Sequence, residues 1–505
     1  MVFLLMIRGC GAMVNLQALH ACDSGSIPDS PIKNMDNKKL FDFKDFASFL
    51  IETGIIDNHY PVKGCYIWLP YGVAIREKLI GIFKESLLSR GYEEYLFPRL
   101  VPKIFLENLK KIVKSPEKGL FWVDDNLNKN KESSLFLYPT GEASIYSYFK
   151  EHIKKVTDLP IYLFQISSIF RPTVDTSVLI NGSESDTLLE VHTAHSTEVE
   201  SVKAFKESIE IMHEYYNKLL FPVFDVKRPL WGNKPVSEST VSFETYLPIK
   251  NRSFSPSVTY HQSQVFSKAF EIKFKNLQGE VDFTYQNTFG IAERVLAAVF
   301  LIHMDENGLR LPPKLAPIQI VLIPYFNGKD DENLIKIAEE IKKELFEYRV
   351  FVDLKKILPS KRIFSWRKKG VPICITLSQN ELQFGKLTIS RRDLRKKEII
   401  DKKNLVFWVE KNIKEYSLAL SKQAEDYLLS NTGCAQNMVE LQQLINNKKL
   451  AKICWCEEKE CGVNIESQVK GEILGCILNS KPNNKCFCGK DAKAIALYGQ
   501  RCTSP

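Results

Sequence analysis

Cys456, Cys461, Cys486 and Cys488 form a C-x4-C pair, a gap of 24 residues and a C-x-C pair that closes against Gly489. Thiolates in short paired spacings suit a tetrahedral structural zinc site, because each pair spans one edge of the tetrahedron and four thiolates leave no position open for chemistry. Free thiols in a cysteine-tolerant core are the alternative. Cys454, Cys476 and Cys502 lie nearby and leave the choice of four open.

Three other segments carry groups suited to an anionic substrate. Tyr138–Glu142 (YPTGE) sets polar side chains at the start of a helix expected to run to Lys154. Gln165–Arg171 reads as a strand ending in Phe170 and Arg171, followed by a loop and a second strand around Leu188–His195. Gly290–Arg294 (GIAER) opens an apolar helix through Leu301 that ends at Asp305–Leu309. An arginine at a strand end and another inside a buried helix are costly unless each meets an anion, and phosphate is the natural one. Structural salt bridges are the competing explanation.

The elements that must position these groups follow from periodicity. Asp42–Glu52 and Ile75–Ser89 have apolar residues at helical spacing, and Glu94–Leu100 reads as a strand bounded by Pro98 and Pro102. A break follows at Leu311–Pro313. Beyond it come strand Ile318–Ile323, helix Glu332–Phe346, strand Val350–Val352, basic helix Ser360–Lys369 and strand Pro372–Leu377. That alternation implies a small α/β unit with a largely parallel sheet. Asn404–Gln423 reads as a helix leading to the cysteine module. The α/β unit carries two basic clusters, Lys355–Lys369 and Arg391–Lys403, with Phe364 and Trp366 interleaved for base stacking, and together they point to RNA.

Composition excludes several classes. With 505 residues, 44% hydrophobic and 26% charged, the chain is long enough for several cores and is neither disordered nor a membrane span. A net charge of +9 is modest, so its clustering matters more than its size. Twelve cysteines without a secretory signal favour a reducing, cytoplasmic setting. Residues 1–36 lack periodicity and read as an unstructured extension, with Met35 a possible true start.

Taken in order, these motifs resemble a class II aminoacyl-tRNA synthetase, specifically the archaeal and eukaryotic type of prolyl-tRNA synthetase. Tyr60–Gly64 (YPVKG), Leu69–Gly72 and Leu96–Pro98 resemble the entry strand and motif 1, Phe170-Arg171 the start of motif 2, and Gly290–Pro313 motif 3. Gly370–Pro372 and Ile389–Asp393 resemble the anticodon-binding domain, and the four cysteines the C-terminal zinc domain. The resemblance implies a multi-domain α/β chain. A class II antiparallel sheet with helices would occupy 37–315, a small α/β anticodon-binding domain 316–420, and a zinc-binding α+β module 421–505.

It implies an aminoacyl-tRNA ligase that activates proline with ATP and Mg2+ to prolyl-adenylate and transfers it to tRNA, as a homodimer built through motif 1. Thr140 and Glu142 would hold the imino group of proline, and Arg171 would contact the α-phosphate and the substrate carboxylate. Arg294 would brace the γ-phosphate and converge with Arg171 on one cleft. His192 and His261 would belong to the proline pocket, although a satisfied strand histidine reads equally well for His192.

The sequence departs from the family in places. Thr173 stands where an acidic residue holds the adenine amino group. The loop expected over Val174–Thr187 lacks arginines and carries Asp175, Glu184 and Asp186, acids that would face the triphosphate. Ser255–Val258 replaces a glycine-rich ribose loop, Thr376–Gln379 replaces a stretch of the anticodon domain, and Cys502 stands near the place of a C-terminal tyrosine. The alternative reading is a paralogue with weakened or lost adenylation that serves as an RNA-binding or regulatory protein.

Overall fold

The computed structural model describes residues 43–123, 134–173, 176–229, 231, 236–249, 251–328 and 331–502. The expected extension at 1–36 lies outside the described residues.

In the first unit α1 (Phe43–Glu52) and α2 (Pro70–Leu88) precede a two-residue strand β1 (Glu93–Glu94). The strand expected over Glu94–Leu100 is broken there, because Pro98 cannot donate to a ladder; a short pair, Leu100–Pro102 with Leu135–Leu137, forms beyond it. Then follow α3 (Glu142–His152), β2 (Ile161–Phe170), β3 (Glu184–His195), α4 (Glu198–Lys218), β4 (Phe224–Lys227), β5 (Ser239–Leu247), β6 (Arg252–Ser263), β7 (Tyr285–Ile291) and α5 (Glu293–His303). Strands β2 to β7 pair antiparallel with one another, as a class II core requires.

Alternation along these strands sorts side chains onto two faces. Leu189, Val191, Val241, Phe243 and Phe289 join Phe83, Tyr215 and Val295 in the largest apolar core, so α2, α4 and α5 cover one face. On the other face Tyr146 of α3 packs over His192. The substrate residues can therefore be assigned to a face by parity alone.

The second unit contains β8 (Ile320–Pro324), α6 (Asp331–Glu344), β9 (Val350–Val352), α7 (Pro359–Lys368), β10 (Ile373–Leu377), β11 (Lys386–Arg391) and β12 (Lys397–Asp401). Its sheet is mixed: β8 pairs parallel with β9 and β10, whereas β10–β11 and β11–β12 are antiparallel. The largely parallel sheet expected from the α/β alternation holds for its first three strands. Past β10 the chain turns back directly through a short connection, which permits only antiparallel pairing.

The turn that follows α5 docks on this unit through backbone contact. Leu309 N–H donates to Lys368 O (2.9 Å), and Gly308 and Gly370 both have positive φ. A Cβ on Gly308 would fall 2.4 Å from Lys368 O, so only glycine admits the approach.

The long α8 (Leu405–Ser430) leads to the last unit: β13 (Thr432–Ala435), α9 (Met438–Asn446), β14 (Leu450–Trp455), α10 (Lys459–Gln468), β15 (Glu472–Ile477) and β16 (Ala494–Gly499). This module does not stand apart. β15 pairs with β4 (Cys476 with Lys227, Ile477 with Val226), so one sheet of eleven strands runs β13-β14-β16-β15-β4-β5-β6-β7-β3-β2-β1 through both units.

Candidate active site and cysteine cluster

The cleft lies on the α3 face of the sheet. Tyr138–Gly141 reaches it as a loop before α3, held from below by Glu190 at the middle of β3. The Glu190 carboxylate accepts from the Tyr138 hydroxyl (2.5 Å), the Gly141 N–H (2.9 Å) and the Gln165 amide (2.7 Å). Burial raises its pKa, but the hydrogen bonds from His192, Tyr138 and Gln165 outweigh that and hold it below the usual carboxylate range. A Cβ on Gly141 would sit 2.6 Å from Glu190 Oε2, so glycine is what allows the loop to rest on the acid. Above this support Thr140 Oγ1 donates to Glu142 Oε2 (2.6 Å).

Arg171 follows the end of β2, fixed by its Nε–H donating to Pro139 O (2.9 Å) and its backbone N–H to Ser183 O (2.9 Å). Arg294, in the first turn of α5, donates to Ile180 O (3.2 Å) and lies over the Phe254 ring at 5.5 Å. Burial first, then the nearby positive charge of Arg171, lowers the Arg294 pKa. The two guanidiniums thus stand close enough to repel. Bringing them together costs energy unless an anion joins them.

Tyr260 completes the cleft. Its phenol is raised by burial, with Glu142 and Arg294 among the charges acting on it. The neighbouring His261 belongs to the opposite face: Ser257 meets Tyr216, Thr259 meets Ser208, and the His261 ring packs 5.6 Å from Phe205, all on α4. His261, expected in the proline pocket, therefore faces away from the cleft, and Tyr260, one residue earlier and of opposite parity, faces it. His192 is on the cleft face but fully buried, its Nδ1 3.0 Å from the Tyr146 hydroxyl and its Nε2 3.5 Å from Glu190. It supports the pocket floor.

The acidic loop also reads differently in three dimensions. Strand β3 starts at Glu184, so Glu184 and Asp186 are strand residues; Asp175 lies outside the described residues. Asp186 accepts from Ser168 Oγ (2.8 Å), and its N–H donates to Glu293 (2.7 Å), while Glu184 meets the Cys65 thiol. Glu293 also accepts from the Tyr66 hydroxyl, and burial pushes its carboxyl up to about 7. Glu190 and Glu293 were both missed from sequence. The available signal was an acid inside an apolar strand and another beside the motif 3 arginine, each costly without donors.

The four cysteines meet at the junction of β14, α10 and the 486–488 turn. Their sulfurs lie within 4.8 Å of one another, with Cys461 to Cys486 at 3.5 Å and Cys456 to Cys488 at 3.7 Å. Those spacings fit a tetrahedron with metal–sulfur bonds of about 2.3 Å. Cys454 turns to Asn483, Cys476 to Glu457, and the Cys502 N–H donates to Ser253 O, so none of the three joins the cluster.

The basic clusters are only partly available to RNA. Arg362 donates to Asp353 O (2.7 Å) and Pro324 O (2.5 Å), and Arg392 makes a two-pronged bond to Asp305 (2.6 and 3.0 Å). Arg391 pairs with Asp393 and Glu415. Trp366, expected to stack on bases, is buried and donates to Asp353 (2.8 Å). Lys355, Lys356, Lys361, Arg395, Lys396, Lys397, Lys403 and Phe364 remain exposed.

Comparison with known proteins places this geometry. The tRNA synthetase class II core domain (G, H, P, S and T) matches residues 121–303, the anticodon binding domain 319–412, and the prolyl-tRNA synthetase C-terminal domain 438–501. Proline–tRNA ligase of Methanothermobacter thermautotrophicus is 32% identical over 92% of this chain and 97% of its own length. That of Methanococcus vannielii is 36% identical over 90% and 99%. A solved structure, Giardia lamblia prolyl-tRNA synthetase in complex with prolyl-adenylate, superposes with a TM-score of 0.83 at 26% identity, covering 91% of this chain and 98% of that one. The chain belongs to the prolyl-tRNA synthetase family of class II aminoacyl-tRNA synthetases.

Proposed function

We propose that the protein is a proline–tRNA ligase. The observation that carries this reading is the similarity to proline–tRNA ligases over nearly the whole chain; in support, Arg171 and Arg294 both bond to the 180–183 segment, and Thr140 bonds to Glu142. Glu142 supplies the negative charge that the secondary ammonium of proline needs, and Thr140 fixes its orientation. The proline carboxylate attacks the α-phosphorus of ATP, the bond to the β-phosphate oxygen breaks, and pyrophosphate leaves with its Mg2+. Arg171 neutralises charge at the α-phosphate and Arg294 at the departing γ-phosphate. A ribose hydroxyl of the tRNA terminus then attacks the prolyl carbonyl and AMP leaves. No side-chain nucleophile is needed; positioning and charge do the catalysis.

The anticodon-binding unit at 316–420 offers tRNA the exposed lysines, Arg395 and Phe364. The catalytic unit at 37–315 and the module at 421–505 share one sheet, the latter holding a structural Zn2+ on Cys456, Cys461, Cys486 and Cys488. A homodimer through the motif 1 region fits the exposed Leu96, Leu100 and Ile104 there. No helix among the described residues is long and apolar enough to cross a membrane, and a cytoplasmic setting agrees with described cysteines that form no disulfide with one another. The comparisons lend no support to the non-catalytic alternative.

The test is proline-dependent ATP–pyrophosphate exchange followed by charging of tRNA. Exchange with proline, abolished in R171A, is expected. Absence of exchange by metal-replete protein at saturating ATP and proline would overturn the reading.

A further inference from the structure

On the α4 face of the sheet, opposite the cleft, Glu198, Glu238 and His261 come together at one edge of the core. A ring nitrogen of His261 and one carboxylate oxygen from each glutamate all lie within 4.8 Å of one another. His261 is 6% exposed, while both glutamates are exposed. The three come from different elements. Glu198 is the first residue of α4, His261 sits near the end of β6, and the Glu238 N–H donates to His261 O (3.0 Å) just before β5.

The tautomer of His261 is set by its surroundings. Asn287 donates its amide to Ser201 O (2.9 Å) and Thr193 Oγ1 (3.2 Å), which turns its Oδ1 toward His261 Nδ1 at 2.8 Å. Nδ1 therefore carries the hydrogen, and Nε2 keeps its lone pair. Among the described residues Nε2 takes no hydrogen bond. A buried imidazole, its tautomer locked by an amide that is itself locked, with two carboxylates against it, has the second-sphere arrangement typical of metal-binding histidines. Two carboxylate oxygens and a ring nitrogen within 4.8 Å of one another make a donor set that a cation could join.

We propose that Glu198, Glu238 and His261 form a second metal site, for a divalent cation of the Mn2+ or Zn2+ type, separate from the cysteine cluster. One imidazole and two carboxylates suit cations of intermediate hardness, and the three residues leave coordination positions to water. The ion would clasp the first turn of α4 to β5 and β6. It stands behind the sheet and plays no part in the chemistry of the cleft.

Mn2+ is the probe, because the thiolate cluster disfavours it and its free form has a strong electron paramagnetic resonance signal. Full-length protein loaded with zinc and free of ATP should bind about one Mn2+ per chain. E198Q/E238Q, substituted at exposed positions, should bind at least tenfold more weakly, while E184Q, altered on the cleft side, should bind as wild type does. Mn2+ should also raise the melting temperature of wild type and leave that of E198Q/E238Q unchanged. Wild type that binds no Mn2+ at millimolar concentration, or equal binding by wild type and E198Q/E238Q, would overturn the site. None of these readouts depends on aminoacylation, so the inference stands or falls apart from the proposed ligase activity.

Discussion

Replacing Glu190 with Gln probes the support beneath the proline pocket. The carboxylate receives the Gly141 N–H at one oxygen and the Tyr138 hydroxyl and Gln165 amide at the other. A glutamine side chain offers one acceptor oxygen, and its NH2 must face a donor wherever it is placed. If the amide oxygen stays with Tyr138 and Gln165, the Gly141 N–H loses its acceptor and confronts another donor. Losing one hydrogen bond to a charged acceptor costs about 1.5–3 kcal/mol. Spent on the geometry of the Pro139–Gly141 loop, that corresponds to roughly a 10- to 150-fold rise in the proline KM. Y138F removes one bond to the same charged acceptor but sets no donor against a donor, so the lower end of that range, about 1.5 kcal/mol or roughly tenfold, is expected. ATP–pyrophosphate exchange at varied proline and saturating ATP measures both. G141A should resemble E190Q, because its methyl would strike Glu190 Oε2 at 2.6 Å. A proline KM in E190Q within about twofold of wild type, or Y138F clearly more damaging than E190Q, refutes the reasoning.

Four further outcomes follow. C486S should lower zinc to well under one per chain and speed proteolysis of the C-terminal module; full zinc retention would contradict the assigned ligands. Glu293 keeps its proton up to about pH 7 when folded and loses it near 4.5 when unfolded, so the stability it contributes is full below about pH 4.5 and fades as pH rises through 7. The melting temperature of wild type relative to E293Q should accordingly fall between about pH 5 and 8, and a flat difference would show that Glu293 is not the titrating group. D305N leaves the buried Arg392 without its carboxylate, a loss of about 3–5 kcal/mol for a broken buried pair; tRNA charging should suffer more than proline-dependent exchange, and an equal fall in both would place the damage in the cleft. F364A should weaken tRNA binding with little change in melting, whereas W366A should lower the melting temperature, because Trp366 is core and Phe364 is not.

The parts of the site that sequence made legible are those with local signals. Arg171 at a strand end, Arg294 beside a helix start and the paired cysteines are each recognisable within a few residues; in the structure Arg171 follows a strand, Arg294 lies in the first turn of a helix, and the four sulfurs gather within 4.8 Å. What stayed hidden depends on parity and on distant partners. Tyr260 and His261 differ by one position, and only the strand's register shows which faces the cleft. Glu190 looks like a stray charge until Tyr138, Gln165 and Gly141 are seen to surround it. The same blindness made Arg362, Arg391, Arg392 and Trp366 resemble an RNA surface. Their partners Asp353, Pro324, Glu415 and Asp305 lie on other elements, so a run of basic residues could not disclose that half of it is structural glue.

The strand pairing between β4 and β15 has a consequence for synthesis of the chain. β4 emerges from the ribosome near residue 227, and its outer partner arrives only with residues 472–477. Until then β4 is the open edge of an antiparallel sheet, a row of unsatisfied N–H and C=O groups ready to pair with another nascent chain. At about 5–20 residues per second, the intervening stretch leaves that edge bare for some tens of seconds. A ribosome that stalls or stops in the last unit therefore releases a catalytic unit with a sticky margin. Premature truncation ahead of β15 should be read in the cell as aggregation before it is read as lost charging.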